Sequence, residues 1–155
     1  MSKTIFSEFI MRTVRPSQDA EFLFNLLKER DSRANISHKK MPTYNTHLKF
    51  IESKPYKKWY VVIGITKNSS NKKPSSNSRI KIASVYLSKN DEIGIFVSKE
   101  FHGIDIGKFA LNEIISRNPR KRYLANVSPK NKKSMRFFKN NNFKLIQYTF
   151  ELDGS

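Results

Sequence analysis

The sequence contains no cysteine. Disulfide bonds and thiolate metal sites are therefore excluded. Histidine occurs only at positions 38, 47 and 102, too sparsely and too scattered to suggest a metal site. Acidic residues are few: 13 Asp and Glu stand against 30 Lys and Arg, for a formal net charge of +17. No run approaches the roughly 18 consecutive apolar residues of a membrane span. The first stretch, MSKTIFSEFIMRTVRP, carries Glu8 and no uninterrupted apolar segment, so no secretory signal is expected. Together these absences make a soluble cytoplasmic protein the expectation. The 155 residues favour one domain, 1–155, long enough for a core without staples.

The excess positive charge has two readings. One is a polyanionic partner, either a nucleic acid or a phosphorylated cofactor or substrate. The other is a solvated lysine-rich surface. The charge is spread along the chain and not gathered into a block, which weakens the case for nucleic acid.

Hydrophobic residues make up 37% of the chain, with 12 Phe and six Tyr supplying much of that share. Their pattern sets the expected elements. FIMRTVRP (9–16) reads as a strand. Ser17 is a candidate cap for a helix to about Arg30, with Ala20, Leu23, Phe24 and Leu27 on one face. Residues 31–42 look like a loop. Thr43 caps a second helix over 44–53, where His47, Phe50 and Ile51 share a side, and Pro55 ends it. WYVVIGIT (59–66) is a buried strand. The polar stretch 67–79 reads as a flexible hairpin insertion before the strand 79–87. A strand over 92–97, a helix over 106–117, a strand over 122–128, a helix over 131–140 and a strand over 143–152 complete a β-α-α-β-β-β-α-β-α-β order. In the second half, Ala110, Leu111, Ile114 and Ile115 are the expected inward positions of the helix.

One segment invites chemistry. EIGIFVSKEFHGIDIGKFALNEII (92–115) is a short strand running into a helix through a corner that holds Gly103 and Gly107. The first amides of a helix lack internal partners, and the macrodipole makes that end positive. A glycine-containing approach lets a phosphate or pyrophosphate come close to the backbone, with Lys99 and Lys108 adding charge. The same glycines also suit an ordinary strand–helix turn.

HGIDIG (102–107) resembles the corner motif of the GNAT superfamily of acyl-CoA-dependent N-acetyltransferases, (Arg/Gln)-x-x-Gly-x-(Gly/Ala). His102 stands for the first residue, Asp105 for the middle glycine, and Gly107 matches. Downstream, Asn131, Ser134, Phe138 and Asn142-Phe143 fall at the spacing of the family's Asn, small residue, aromatic and Gly-Phe. The element order is similar over about residues 9–152.

The resemblance implies a mixed α/β sheet of six to seven strands with splayed central strands and helices on both faces. It implies acetyl-CoA as cofactor. The pantetheine arm would pair with Ile95, Phe96 and Val97. The pyrophosphate would lie on the backbone of His102, Gly103, Ile104, Asp105, Ile106, Gly107 and Lys108, and Asn131 and Phe138 would meet the cofactor. Transfer to an amine needs a proton acceptor and an oxyanion donor. Glu92 is the candidate base, and a strand amide near Ile95 or Phe96 is the candidate donor. The position where relatives place an acidic tyrosine is Phe138, which has no proton to give.

The resemblance places the acceptor on the first two helices and their loop, where Arg30, Arg33, Asn35, Ser37 and His38 are polar candidates and Trp59 offers a stacking face. TYNTHLKFIES (43–53) followed by KKWYVV is similar to amino-sugar-nucleotide N-acetyltransferases of the pseudaminic acid pathway. The expected partner is thus a small-molecule amine, with a nucleotide sugar suiting the positive charge, and no membrane. Homodimers are common among small members of the family. Two alternatives stay open: acetylation of a protein N-terminus or lysine, and a non-catalytic module that holds CoA or nucleic acid.

Overall fold

The computed structural model describes residues 6–30, 40–66 and 78–155. Four strands, β1 (Phe6–Thr13), β2 (Lys58–Thr66), β3 (Arg79–Leu87) and β4 (Ile93–Val97), form one antiparallel sheet in the order β1-β2-β3-β4. The helices are α1 (Pro16–Lys28), α2 (Tyr44–Glu52), α3 (Ile106–Arg117) and α4 (Lys132–Asn140). No helix among the described residues is long and apolar enough to cross a membrane.

Strand alternation sorts the side chains onto two faces. On one face, Tyr60, Val62, Val85, Leu87 and Ile93 pack with Phe101, Ile106, Ala110, Leu111 and Ile114, which come from α3 and the turn before it. Burying a side chain such as Ile114 stabilises the fold by about 1.5–3 kcal/mol. On the other face, Ala20, Leu23 and Ile51 of α1 and α2 cover Trp59. The helices therefore lie on both faces, as the sequence implies.

α1 starts one residue earlier than its expected cap. Pro16 occupies its first turn and Arg15 is the cap residue. A proline loses nothing there, because the first amides have no helical partner. The Asp19 carboxylate accepts from the Arg15 amide at 2.6 Å and from both terminal nitrogens of Arg12 at 2.7 and 2.8 Å. Lys81 Nζ on β3 lies 2.9 Å away. Asp19 is fully buried, so α1 turns Leu26 inward and leaves Phe24 and Leu27 half-buried. At α2, Thr43 caps as expected, accepting from the Thr46 amide at 3.2 Å. His47 is buried and stacks on Phe50 with centroids 6.0 Å apart.

The sheet is smaller than the six to seven strands expected. Among the described residues, 122–128 pairs its backbone with the sheet's edge only at Leu124, through an isolated parallel bridge to Glu92. Residues 143–152 form no strand and are exposed beyond Phe143. Alternation encodes an extended backbone, but a ladder also needs a neighbour in register, and neither segment has one here. The first strand also runs over 6–13 and not 9–16, because its pairing with β2 extends to Phe6↔Thr66. Of the polar insertion, residues 67–77 lie outside the described residues. Its base closes as a hairpin, with the Thr66 amide donating to Ser78 O at 2.9 Å.

Candidate active site

β4 is zipped to β3 along one edge, where Ile95 faces Val85 and Phe96 faces Ser84. The Ser98 amide donates to Ile82 O, and the Ser88 amide donates to Glu92 O. The antiparallel alternation set by these bonds turns the backbone groups of Gly94 and Phe96 toward β3, and those of Ile93, Ile95 and Val97 toward the other edge. On that other edge the Ile93 amide donates to Leu124 O at 2.7 Å, and the Leu124 amide donates to Asp91 O at 2.9 Å. Past this point the two segments diverge. The amide and carbonyl of Ile95 and the amide of Val97 thus line an open edge. Of the two candidate oxyanion donors, the Phe96 amide is committed to the sheet and the Ile95 amide faces the opening.

The opening ends at the corner before α3. A single 3-10 turn, Lys99–Phe101, anchors it by burying Phe101. His102 Nε2 lies 3.0 Å from Val97 O and Nδ1 lies 2.9 Å from Lys133 Nζ. Lysine only donates, so Nδ1 accepts and Nε2–H donates to the carbonyl. His102 thereby ties the corner both to β4 and to α4.

Gly103 has φ +86, a region that favours glycine, and a Cβ there would meet nothing within 4 Å. Asp105 also has positive φ, at 57°, and caps α3 without a side-chain bond. The first intrahelical bond runs from the Phe109 amide to Asp105 O, so the amides of Ile106, Gly107 and Lys108 point out of the helix end. Ile104 is half-buried against the α3-side core. Gly107 has a packing task as well: a Cβ there would stand 3.2 Å from the Phe137 ring. α4 therefore lies close across the start of α3. Asn131 caps α4, accepting from the Ser134 amide at 3.1 Å. Phe138 sits between Phe137 and Phe143, each centroid 5.1 Å away.

On the sheet face covered by α1 and α2, Glu92 lies where β4 and 122–128 part. Its carboxylate accepts from Ser88 Oγ at 3.2 Å and from the Asn126 side-chain amide. Tyr86 stacks on Tyr56 at 3.8 Å between centroids and 5° between planes. Burial, first of all, raises both phenol pKa values, so both stay protonated near neutrality. A Cβ on Gly94 would run into the Tyr86 ring. The Arg30 guanidinium lies over Phe96, 4.0 Å from its centroid. Trp59 Nε1–H donates to Ser84 Oγ at 2.8 Å, and its ring meets Tyr56 edge-on at 4.8 Å.

Glu92, the Ile95–Val97 edge and the 102–108 corner are thus contiguous, with Arg30 and Trp59 on the adjoining face. Asn35 and His38, with Arg33 and Ser37, lie outside the described residues. Among the described residues there is no group of His, Cys, Asp and Glu that could hold a metal. Sequence reasoning missed Tyr56, Tyr86 and Asn126. The β3 alternation that puts Ser84 and Tyr86 on the Trp59 face signals Tyr86, and the apolar spacing of 122–128 does not single out Asn126.

No protein-family model and no curated protein matches the sequence. Solved structures do match. A domain from Methanocaldococcus jannaschii superposes with a TM-score of 0.73 at 18% identity, over 93% of each chain. An N-acetyltransferase from Staphylococcus aureus gives 0.61 at 17% identity, over 89% of this chain and 84% of that one. An aminoglycoside N-acetyltransferase in complex with CoA gives 0.63 at 14% identity, over 94% of each. At these identities the likeness is one of architecture, and the chain has the α/β fold of the GNAT-type N-acetyltransferases.

Proposed function

We propose that this chain transfers an acetyl group from acetyl-CoA to a primary amine. The observation that carries the proposal is the edge of β4 left open beside Ile95 and Val97, running directly into the outward amides of the α3 corner. The residues suit the cofactor: backbone donors and acceptors for an amide-bearing arm, then helix-end amides with Lys99, Lys108 and Lys133 nearby for a diphosphate. Ile95, Phe96 and Val97 would flank the arm. His102, Gly103, Ile104, Asp105, Ile106, Gly107 and Lys108 would cradle the phosphates, and Asn131 and Phe138 would border the far wall. When bound, acetyl-CoA supplies an acetyl thioester.

The protein's own part is to bind, orient and move one proton. An ammonium cannot attack, so the amine must arrive neutral or lose its proton in place. Glu92 accepts that proton, directly or through one water, and Ser88 and Asn126 hold its carboxylate. The Ile95 amide faces the side where a carbonyl oxygen would gain charge. Holding both reactants in one cleft supplies further acceleration. A thiolate is a tolerable leaving group, so the aprotic Phe138 leaves the reaction feasible.

For the acceptor we favour an amino sugar or a nucleotide-linked one. Tyr56 and Tyr86 present aromatic surface near Glu92, with Trp59 bracing them, and Arg30 supplies positive charge. Asn35 and His38, outside the described residues, are proposed as further contacts.

The test is an acceptor screen that follows release of the CoA thiol, run beside thermal shift with acetyl-CoA. The chain has no cysteine, so it adds no thiol background. Cofactor should raise the melting temperature, and an amino-sugar acceptor should release thiol. No shift at millimolar acetyl-CoA would count against the whole proposal. A shift with turnover only on peptides would move the acceptor to protein amines.

A further inference from the structure

From Ile114 to Phe150 the chain carries ten Lys and Arg and not one Asp or Glu. α4 lies within that stretch. Its inner side is set by packing: the Phe137 ring lies against Gly107, and Phe138 packs between Phe137 and Phe143. Ser134, Phe137, Phe138 and Asn141 fall at the i, i+3, i+4, i+7 spacing of one helical side, and all four are partly covered. The opposite side is left to Lys132, Lys133, Arg136, Lys139 and Asn140, and all five are exposed.

This outer face runs against the electrostatics of a lone helix. Lys132 and Lys133 occupy the first turn, which holds no acidic residue and where the macrodipole is already positive. Arg136 has a like charge four residues before it at Lys132, three before it at Lys133 and three after it at Lys139. Such pairs destabilise a helix. None of the four cations pairs with a carboxylate among the described residues, whereas Arg117 and Arg120 of the same stretch pair with Glu113 and Asp91. Local rules broken without relief inside the fold mark a surface kept for something outside it.

We infer that the outer face of α4 binds double-stranded DNA, seated in the major groove. A helix with its side chains is about 10–12 Å across, and the B-form major groove, about 12 Å wide, admits one. Arg136 and Asn140, one turn apart, carry the side chains that pair with the edges of guanine and adenine. The lysines beside them supply phosphate contacts. Other polyanions fit this face less well. The major groove of duplex RNA is too narrow for side chains to enter. Single strands are held by stacking bases on aromatic rings, and a lipid surface takes up apolar side chains beside the lysines. The outer face of α4 offers neither.

The test uses the full chain and needs neither acetyl-CoA nor an amine, so its failure is separate from failure of the acetyltransferase proposal. Fluorescence anisotropy compares a short labelled DNA duplex of mixed sequence with duplex RNA and single-stranded DNA of the same length, and sedimentation adds phosphatidylserine vesicles. The DNA duplex should bind tightest, with log affinity falling linearly against log salt. Lys132→Gln with Lys139→Gln should flatten that slope by about two, one for each phosphate contact removed. Lys49→Gln with Lys57→Gln, which removes the same charge at exposed positions elsewhere, should leave the slope unchanged. If the α4 variant fails to fold, footprinting of the parent chain decides: DNA should shield Lys132 and Lys139 from acetic anhydride and leave Lys49 and Lys57 reactive. No binding to the DNA duplex, tighter binding to RNA, single strands or vesicles, an equal slope change in both variants, or no shielding of Lys132 and Lys139 would overturn the inference.

Discussion

The Asn126 side-chain amide donates to the Glu92 carboxylate across the point where β4 and 122–128 part. One bond thus joins the two walls of the cleft and fixes the candidate base at its apex.

Replacing Glu92 by Gln should lower kcat for amine acetylation by about 10²–10⁴-fold, the usual worth of a positioned base. Acetyl-CoA affinity should hold. Steady-state kinetics with calorimetric titration of the cofactor checks both. An unchanged kcat would dismiss Glu92 as the base.

His102 bridges Val97 O and Lys133. His102→Ala should loosen the corner and weaken acetyl-CoA binding by about tenfold, equivalent to about 1.4 kcal/mol, while the acceptor KM stays put. Titration of CoA into both proteins reads the change.

Arg30 covers the Phe96 ring on the face proposed to meet the acceptor. Arg30→Ala should raise the KM of an anionic acceptor about tenfold and leave the dissociation constant for acetyl-CoA unaltered. Equal losses for both ligands would argue for a collapse of the cleft in place of a lost contact.

Burial acts to raise the pKa of Asp19, but Arg12, the Arg15 amide and Lys81 outweigh it and bring the group down to about 2. A depressed folded-state pKa gives stability that is present above the ordinary carboxylate range and lost as pH falls from about 4 toward about 2. Melting temperature followed by circular dichroism should drop over that window, and Asp19→Asn should flatten the slope. Asp19→Ala should cost about 1–3 kcal/mol at neutral pH, because it removes the buried acceptor shared by the Arg15 amide and the partly exposed Arg12 and Lys81.

Much of this was legible in the residues. The α3 span 106–117 and the β3 span 79–87 follow from apolar spacing alone, and Thr43 and Asn131 announce their caps. The apolar spacing puts Phe24 and Leu27 on the inward face of α1 and leaves out the buried Leu26, because a buried carboxylate such as Asp19 cannot be read from a hydrophobic period. Residues 122–128 and 143–152 were read as strands from alternation, which reports local extension and not which backbone lies alongside. At the site, Glu92 and the Ile95–Val97 edge could be named only through the family resemblance of the corner that follows them. Tyr56, Tyr86 and Asn126 could not, since they converge only through the hairpin register and the divergence at Leu124.

Gly94 stands opposite Tyr86 in the β3–β4 ladder, and its missing side chain gives the Tyr86 ring room to lie across β4. The floor of the proposed acceptor site is therefore set from beneath, by a residue no acceptor need touch. Enlarging position 94 would tilt that floor upward and narrow the range of amines admitted, so substrate choice could be retuned there with every lining residue unchanged.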